Sequence, residues 1–160
     1  MQLVEKKDGF EIWQGNRILL AHSPKNPCFY VGRGEETVEM YRGNFQMEDY
    51  LTERIPLREA VKEETAQPGV CRYRFQDRLL VEIAVCGDTA TLHISGEADA
   101  GNRLWIRING EKEEAVYGCG EQMSYFNLRG RHFPLWSSEP GVGRDKSTYM
   151  TWRCDVDNKS

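Results

Sequence analysis

The sequence predicts an all-β fold of antiparallel strands, a sandwich or a barrel, and three observations carry that reading. Short apolar runs with alternating or β-branched patterning recur from one end to the other, and glycine, asparagine and aspartate separate them. The one stretch with helical patterning, "LREAVKEE" at 57–64, is short. Many short strands separated by turn signals belong to a sandwich or barrel rather than to a βαβ fold. A chain of 160 residues suffices for about one domain with a real core, so 1–160 is read as a single domain.

The elements follow in order. "FEIW" and "RILLAH" flank "QGN", a hairpin signature, and "FYVG", "TVEMY" and "NFQMEDY" come next as separate strands. A meander is predicted over "VCRYRF", "LLVEIAV" and "ATLHIS". In its first member Arg72 and Arg74 interrupt the apolar Val70, Tyr73 and Phe75, as on a strand with one face in solvent, and "CGDT" supplies the second turn. In "RLWIRI", Leu104, Ile106 and Ile108 fall on one side, with Arg103, Trp105 and Arg107 on the other.

Composition narrows the function. The chain holds 21 Lys and Arg against 25 Asp and Glu, a net charge of −4, which argues against a broad nucleic-acid-binding face. No apolar run reaches the length of a signal peptide or a membrane-spanning helix. Cysteines at 28, 71, 86, 119 and 154 are odd in number and form no C-x-x-C pair, against both a zinc ribbon and a disulfide framework. A reducing, cytoplasmic setting is expected.

Motifs for several chemistries fail at named positions. In "SSEPGVGRDKST" (137–148) the two glycines required by a P-loop are Pro140 and Asp145, one without an N–H and the other an anion. In "YGCGEQM" the third glycine of a dinucleotide fingerprint is Met123. There is no G-x-S-x-G elbow, and His22, His93 and His132 are far apart, so neither a serine nucleophile nor a metal site is expected, and no cofactor. No pair of carboxylates is placed by sequence at catalytic separation.

Residues 117–152 stand apart by concentrating aromatic, glycine and basic residues without alternation. Between 129 and 146, Arg129, Arg131, Arg144 and Lys146 outnumber Glu139 and Asp145, a local positive excess that suits a polar or anionic small ligand or, more plainly, a solvated loop with its own ion pairs. Tyr117, Trp136 and Trp152 are read as core or interface packing.

"AVYGCGEQ", "YFNLRGRHFPLW" and "SSEPGVGRDKSTYMTW" resemble, in order and spacing, the N-terminal domain of the glycoside hydrolase family 31 α-glycosidases. Within that family, "GEQMSYFNLRG" with "EPGVGRDKSTYMTW" is similar to the sulfoquinovosidase branch, whose members hydrolyse α-glycosides of a sulfonated glucose. The resemblance implies a galactose-mutarotase-like β-sandwich that precedes a (β/α)8 barrel. It further implies that both catalytic aspartates of the retaining mechanism, and the main sulfonate-recognising groups, lie on that barrel and outside this sequence. No catalytic residue is therefore expected in 1–160, and no hydrolysis by these residues alone.

The resemblance carries one feature over by position. A loop at about 137–148 is expected to reach the rim of the barrel's sugar pocket, with Glu139, three residues after Trp136, touching the substrate. Gly141 and Gly143 would let the backbone turn tightly there, and Arg144 would pair with Glu139 or add positive potential. Glu121, Gln122 and Trp136 are expected as supports. The implied partners are the barrel of the same polypeptide and an α-sulfoquinovoside or α-glucoside, with neither nucleic acid nor membrane. The competing reading is an autonomous, non-catalytic carbohydrate-binding module.

Overall fold

The computed structural model describes residues 1–41, 44–117 and 126–130. The chain divides into two compact units, one of residues 1–38 and 47–109, the other of 39–46 and 110–160. Among the described residues the regular structure is entirely β: β1 (Gln2–Lys6), β2 (Gly9–Gln14), β3 (Arg17–His22), β4 (Phe29–Tyr41), β5 (Asn44–Pro56), β6 (Ala60–Glu63), β7 (Val70–Phe75), β8 (Leu79–Cys86), β9 (Thr89–Gly96) and β10 (Arg103–Ile106). They form three sheets, in the orders β1-β2-β3, β10-β4-β5 and β6-β7-β8-β9. No helix among these residues is long and apolar enough to cross a membrane.

The core of the first unit is where the three sheets meet. Tyr73 and Phe75 of β7 contact Phe10 of β2, His22 of β3 and Phe29 of β4, with ring centroids 4.9–5.2 Å apart in the closest pairs. Ile12, Leu20, Val31, Leu57, Leu79, Val81 and Ile83 complete the buried cluster. Strand alternation delivers these side chains: Leu79, Val81 and Ile83 are buried while the residues between them are half-exposed. Burying several rings and branched aliphatic chains stabilises by about 1.5–3 kcal/mol for each side chain fully removed from water.

Turn chemistry sets the registers. β2 and β3 join through Gly15 at φ 57°, and β8 and β9 through Gly87 at φ 55°, the left-handed region that two-residue hairpin turns require. The turn from β7 to β8 has the same left-handed backbone without glycine, at Gln76 (φ 47°) and Asp77 (φ 51°), so its residue types gave no glycine signal. The Gln76 side-chain oxygen accepts the Arg58 N–H at 3.0 Å and ties that turn to the segment before β6.

Four sequence expectations change. "LREAVKEE" is not helical: residues 60–63 pair with β7, Ala60 opposite Phe75 through Glu63 opposite Arg72. An uncapped eight-residue segment is too short for a self-supporting helix, whereas the ladder satisfies its backbone and lets Glu63 bind Arg74 and Lys62 bind Glu5. "FYVG" and "TVEMY" are one strand, because Gly34 stays extended and the Asn102 amide holds its N–H and C=O at 3.0 and 2.9 Å. The amino-terminal "QLVEK" forms β1, a strand the mixed charges concealed. β10 ends at Ile106, after which Arg107 N–H reaches the Cys28 carbonyl at 2.8 Å and Asn109 N–H that of Leu19 at 2.9 Å.

The alternation of β10 is as expected, with an unexpected exposure. Leu104 and Ile106 lie opposite the buried Val31 and Phe29, yet they remain 44% and 42% exposed, and Ile108 48%. The strand overhangs the core at the outside of its sheet. On the other side, Trp105 lies beside Tyr30, and Arg54 stacks over both rings at 5.1 and 4.6 Å.

Candidate functional site

Glu121, Gln122, Trp136, Glu139, Gly141, Gly143 and Arg144, like Trp152 and the loop 137–148, lie outside the described residues. What the structure does describe is the stem on either side of 118–125. Leu128 N–H donates to the Val116 carbonyl at 2.8 Å, and the Asn127 side-chain oxygen accepts from the N–H groups of both Val116 and Arg129, at 3.0 and 3.1 Å. Arg129 Nη1 reaches the Glu114 carbonyl at 2.5 Å, and Leu128 is buried. "AVY" and "NLRG" are thereby clamped side by side.

Of the two packing roles expected for Tyr117, core and interface, its exposure excludes the core. Its ring lies against Phe126, centroids 4.8 Å apart, but Tyr117 is 59% and Phe126 86% exposed. The pair is an open aromatic surface at the mouth of the stem, and aromatic content alone could not distinguish it from core.

Among the described residues a Cys–His pair is formed by Cys28 Sγ and His22 Nδ1 at 3.8 Å. Burial pushes the Cys28 thiol up to about 12, only partly offset by the Arg107 cation, so no thiolate forms at neutral pH and the pair is not a nucleophile. Cys71 Sγ donates to Glu5 at 3.3 Å, and burial followed by that carboxylate raises its thiol as well. No group of three His, Cys, Asp or Glu side chains converges on a metal position among the described residues.

An open crevice between β6 and β7, lined by Lys62, Glu63, Glu64, Thr65 and Val70, offers no aromatic ring. Tyr30 and Trp105 lie opposite one another on a sheet face, but the Arg54 guanidinium occupies the ring faces a pyranose would stack on. The solvent face of the four-stranded sheet is a charge ladder, with Glu63, Arg72, Glu82 and His93 opposite one another in register across β6 to β9. Arg72 is bound to Glu82 and Arg74 to Glu63 and Glu97, so these cations are already paired.

Comparison with known proteins places this scaffold. Residues 1–151 match the family described as the glycosyl hydrolase 31 N-terminal galactose mutarotase-like domain. A sulfoquinovosidase of Agrobacterium fabrum is 46% identical over 165 aligned positions, covering all of this chain and 24% of the relative. A sulfoquinovosidase of Escherichia coli is 37% identical, covering 96% of the chain and 23% of the relative. The solved structure of a glycosyl hydrolase 31 family sulfoquinovosidase from E. rectale, in complex with the aza-sugar inhibitor IFGSQ, superposes with a TM-score of 0.80 at 48% identity, over 99% of this chain and 23% of that one. The chain thus spans about a quarter of the length of the relatives it matches. With a match that runs through nearly the whole sequence and a superposition that extends it to the backbone, the chain belongs to the glycosyl hydrolase 31 N-terminal galactose mutarotase-like domain family.

Proposed function

We propose that this chain is the N-terminal β-sandwich of a retaining α-glycoside hydrolase that acts on α-sulfoquinovosides in preference to α-glucosides, and that its loop 137–148 forms part of the sugar pocket's rim. The observation that carries the reading is similarity along the whole chain to two sulfoquinovosidases, at 46% and 37% identity. The overhanging Leu104, Ile106 and Ile108 add support, since a sheet edge with three half-exposed aliphatic side chains suits a domain that packs against further polypeptide better than a free-standing module.

On this reading the domain binds and the barrel reacts. Retention needs two carboxyl groups about 5–5.5 Å apart across the scissile bond, and both belong to the barrel outside residues 1–160. Glu139 accepts hydrogen bonds from sugar hydroxyls, Gly141 and Gly143 allow the backbone to turn beside the ligand, and Arg144 adds positive potential for an anionic sugar. Trp136, Glu121 and Gln122 support the loop. The test is kcat/KM of the full-length protein carrying this chain on an aryl α-sulfoquinovoside and on the matching aryl α-glucoside. A preference for the sulfonated substrate of at least about a hundredfold is expected, because a site built to pair a sulfonate leaves buried polar groups unsatisfied by a hydroxyl. Equal rates, or a preference for the glucoside, would overturn the substrate assignment.

A further inference from the structure

His22 ends β3, and its ring is 2% exposed, stacked on Phe10 at 6.1 Å and met edge-on by Phe75 at 4.9 Å. Its two nitrogens have different neighbours. The Cys28 N–H donates to Nδ1 at 3.5 Å, so Nδ1 is an acceptor, while Nε2 lies 3.3 Å from the Arg58 carbonyl oxygen, which can only accept. A single proton on Nε2 satisfies both contacts. A second proton on Nδ1 would face the Cys28 N–H, donor against donor, with the Cys28 Sγ at 3.8 Å, a weak acceptor, as its sole other neighbour among the described contacts.

The surrounding charges oppose that second proton. Arg107, whose backbone N–H binds the Cys28 carbonyl, holds Nε and Nη2 buried without a hydrogen-bond partner among the described residues, so its cation is not neutralised there. The Cys28 thiol remains neutral. Arg58 directs its guanidinium to the Pro24 carbonyl at 2.9 Å, and the faces of the imidazole are closed by Phe10 and Phe75, which carry no charge. Burial holds the His22 ring below its ordinary value and Arg107 acts in the same direction, against the Arg58 carbonyl.

We propose that His22 is an acid-sensitive latch: in its neutral Nε2–H form it ties the end of β3 to Arg58 ahead of β6 and to Cys28 ahead of β4, and protonation of Nδ1 releases that tie. The direction with pH follows from linkage. As pH falls below about 6.5 the exposed ring of the open state takes up a proton that the buried ring refuses, so the open state binds more protons and gains population. Glu5 and Glu11, held below 4.5 chiefly by Lys62 and Lys6, lose their contribution only at lower pH, outside this window.

Cys28, buried against the ring, reports the opening directly. In the intact protein, labelling of Cys28 by a disulfide reagent active at acid pH would be measured by peptide mass spectrometry relative to the exposed Cys86, which cancels the reagent's own pH dependence. The Cys28 to Cys86 ratio should rise between pH 6.5 and 5.0, approaching tenfold per pH unit, and should stay flat in His22→Gln. A flat wild-type ratio over that range overturns the proposal, as does a rise that persists in folded His22→Gln. Should that variant label fully at pH 8, and so not fold, the wild-type profile decides alone.

Discussion

At Phe75 the rings of His22, Phe29 and Tyr73 converge, at 4.9, 5.1 and 6.5 Å, and the side chain is fully buried. Truncation there removes the ring on which β3 and β4 pack against β7, so Phe75→Ala should cost about 3–5 kcal/mol in urea unfolding, and a loss under about 1 kcal/mol would mean the site collapses freely. Its neighbour Tyr73 has the opposite expectation. The Tyr73 hydroxyl is buried without a hydrogen-bond partner among the described residues, and burial, followed by the Glu5 and Cys71 charges, raises it to about 12. Leaving a buried hydroxyl unpaired costs about 1–3 kcal/mol, so Tyr73→Phe should raise the thermal midpoint. A lower midpoint would show that the hydroxyl is satisfied after all. The apolar half of this cluster was legible, since "VCRYRF" marks Tyr73 and Phe75 by alternation. The burial of His22 was not, because a polar side chain at a strand end carries no periodic signal.

Strands and turns were legible to different degrees, and the reasons are local. The hairpins at Gly15 and Gly87 announce themselves because a left-handed backbone favours glycine, whereas Gln76 and Asp77 adopt it without that signal. These turns make a paired prediction. Nothing lies within 4 Å of a Cβ built on Gly87, so Gly87→Ala introduces backbone strain alone, costing about 1–2 kcal/mol, while Asp77→Gly should stabilise by up to about 1 kcal/mol. Differential scanning calorimetry of the two variants would settle the sign, and a stabilising Gly87→Ala would contradict the turn geometry. β6 was misread because "LREAVKEE" has helical composition, and only the pairing with β7, from Glu63 opposite Arg72 to Ala60 opposite Phe75, makes it a strand. Gly34 misled in the other sense, reading as a break where tertiary hydrogen bonds from Asn102 keep β4 extended.

For the molecule as a whole, three sheets converge on one core in the first unit, and the family follows from a match over residues 1–151 and a superposition at TM-score 0.80. The all-β class was readable from periodicity; the family was readable only from the motifs between 115 and 152, because strand patterns are shared by many sandwiches. Every residue expected at the site lies outside the described residues. The stem, where Asn127 and Arg129 clamp "AVY" against "NLRG" without forming a strand, had no signal of its own in the motifs, and no local pattern marks which polar side chain of 137–148 would meet a substrate on the proposed reading, since that depends on groups contributed from elsewhere. The central claim is that this domain completes a sugar pocket, and the most direct test is kcat/KM for an aryl α-sulfoquinovoside in the full-length protein with Glu139→Ala. The account predicts a loss of more than about tenfold, or more than about 1.4 kcal/mol of transition-state stabilisation, with unchanged thermal stability. An unchanged kcat/KM in a normally folded variant would remove Glu139, and the rim it represents, from the site.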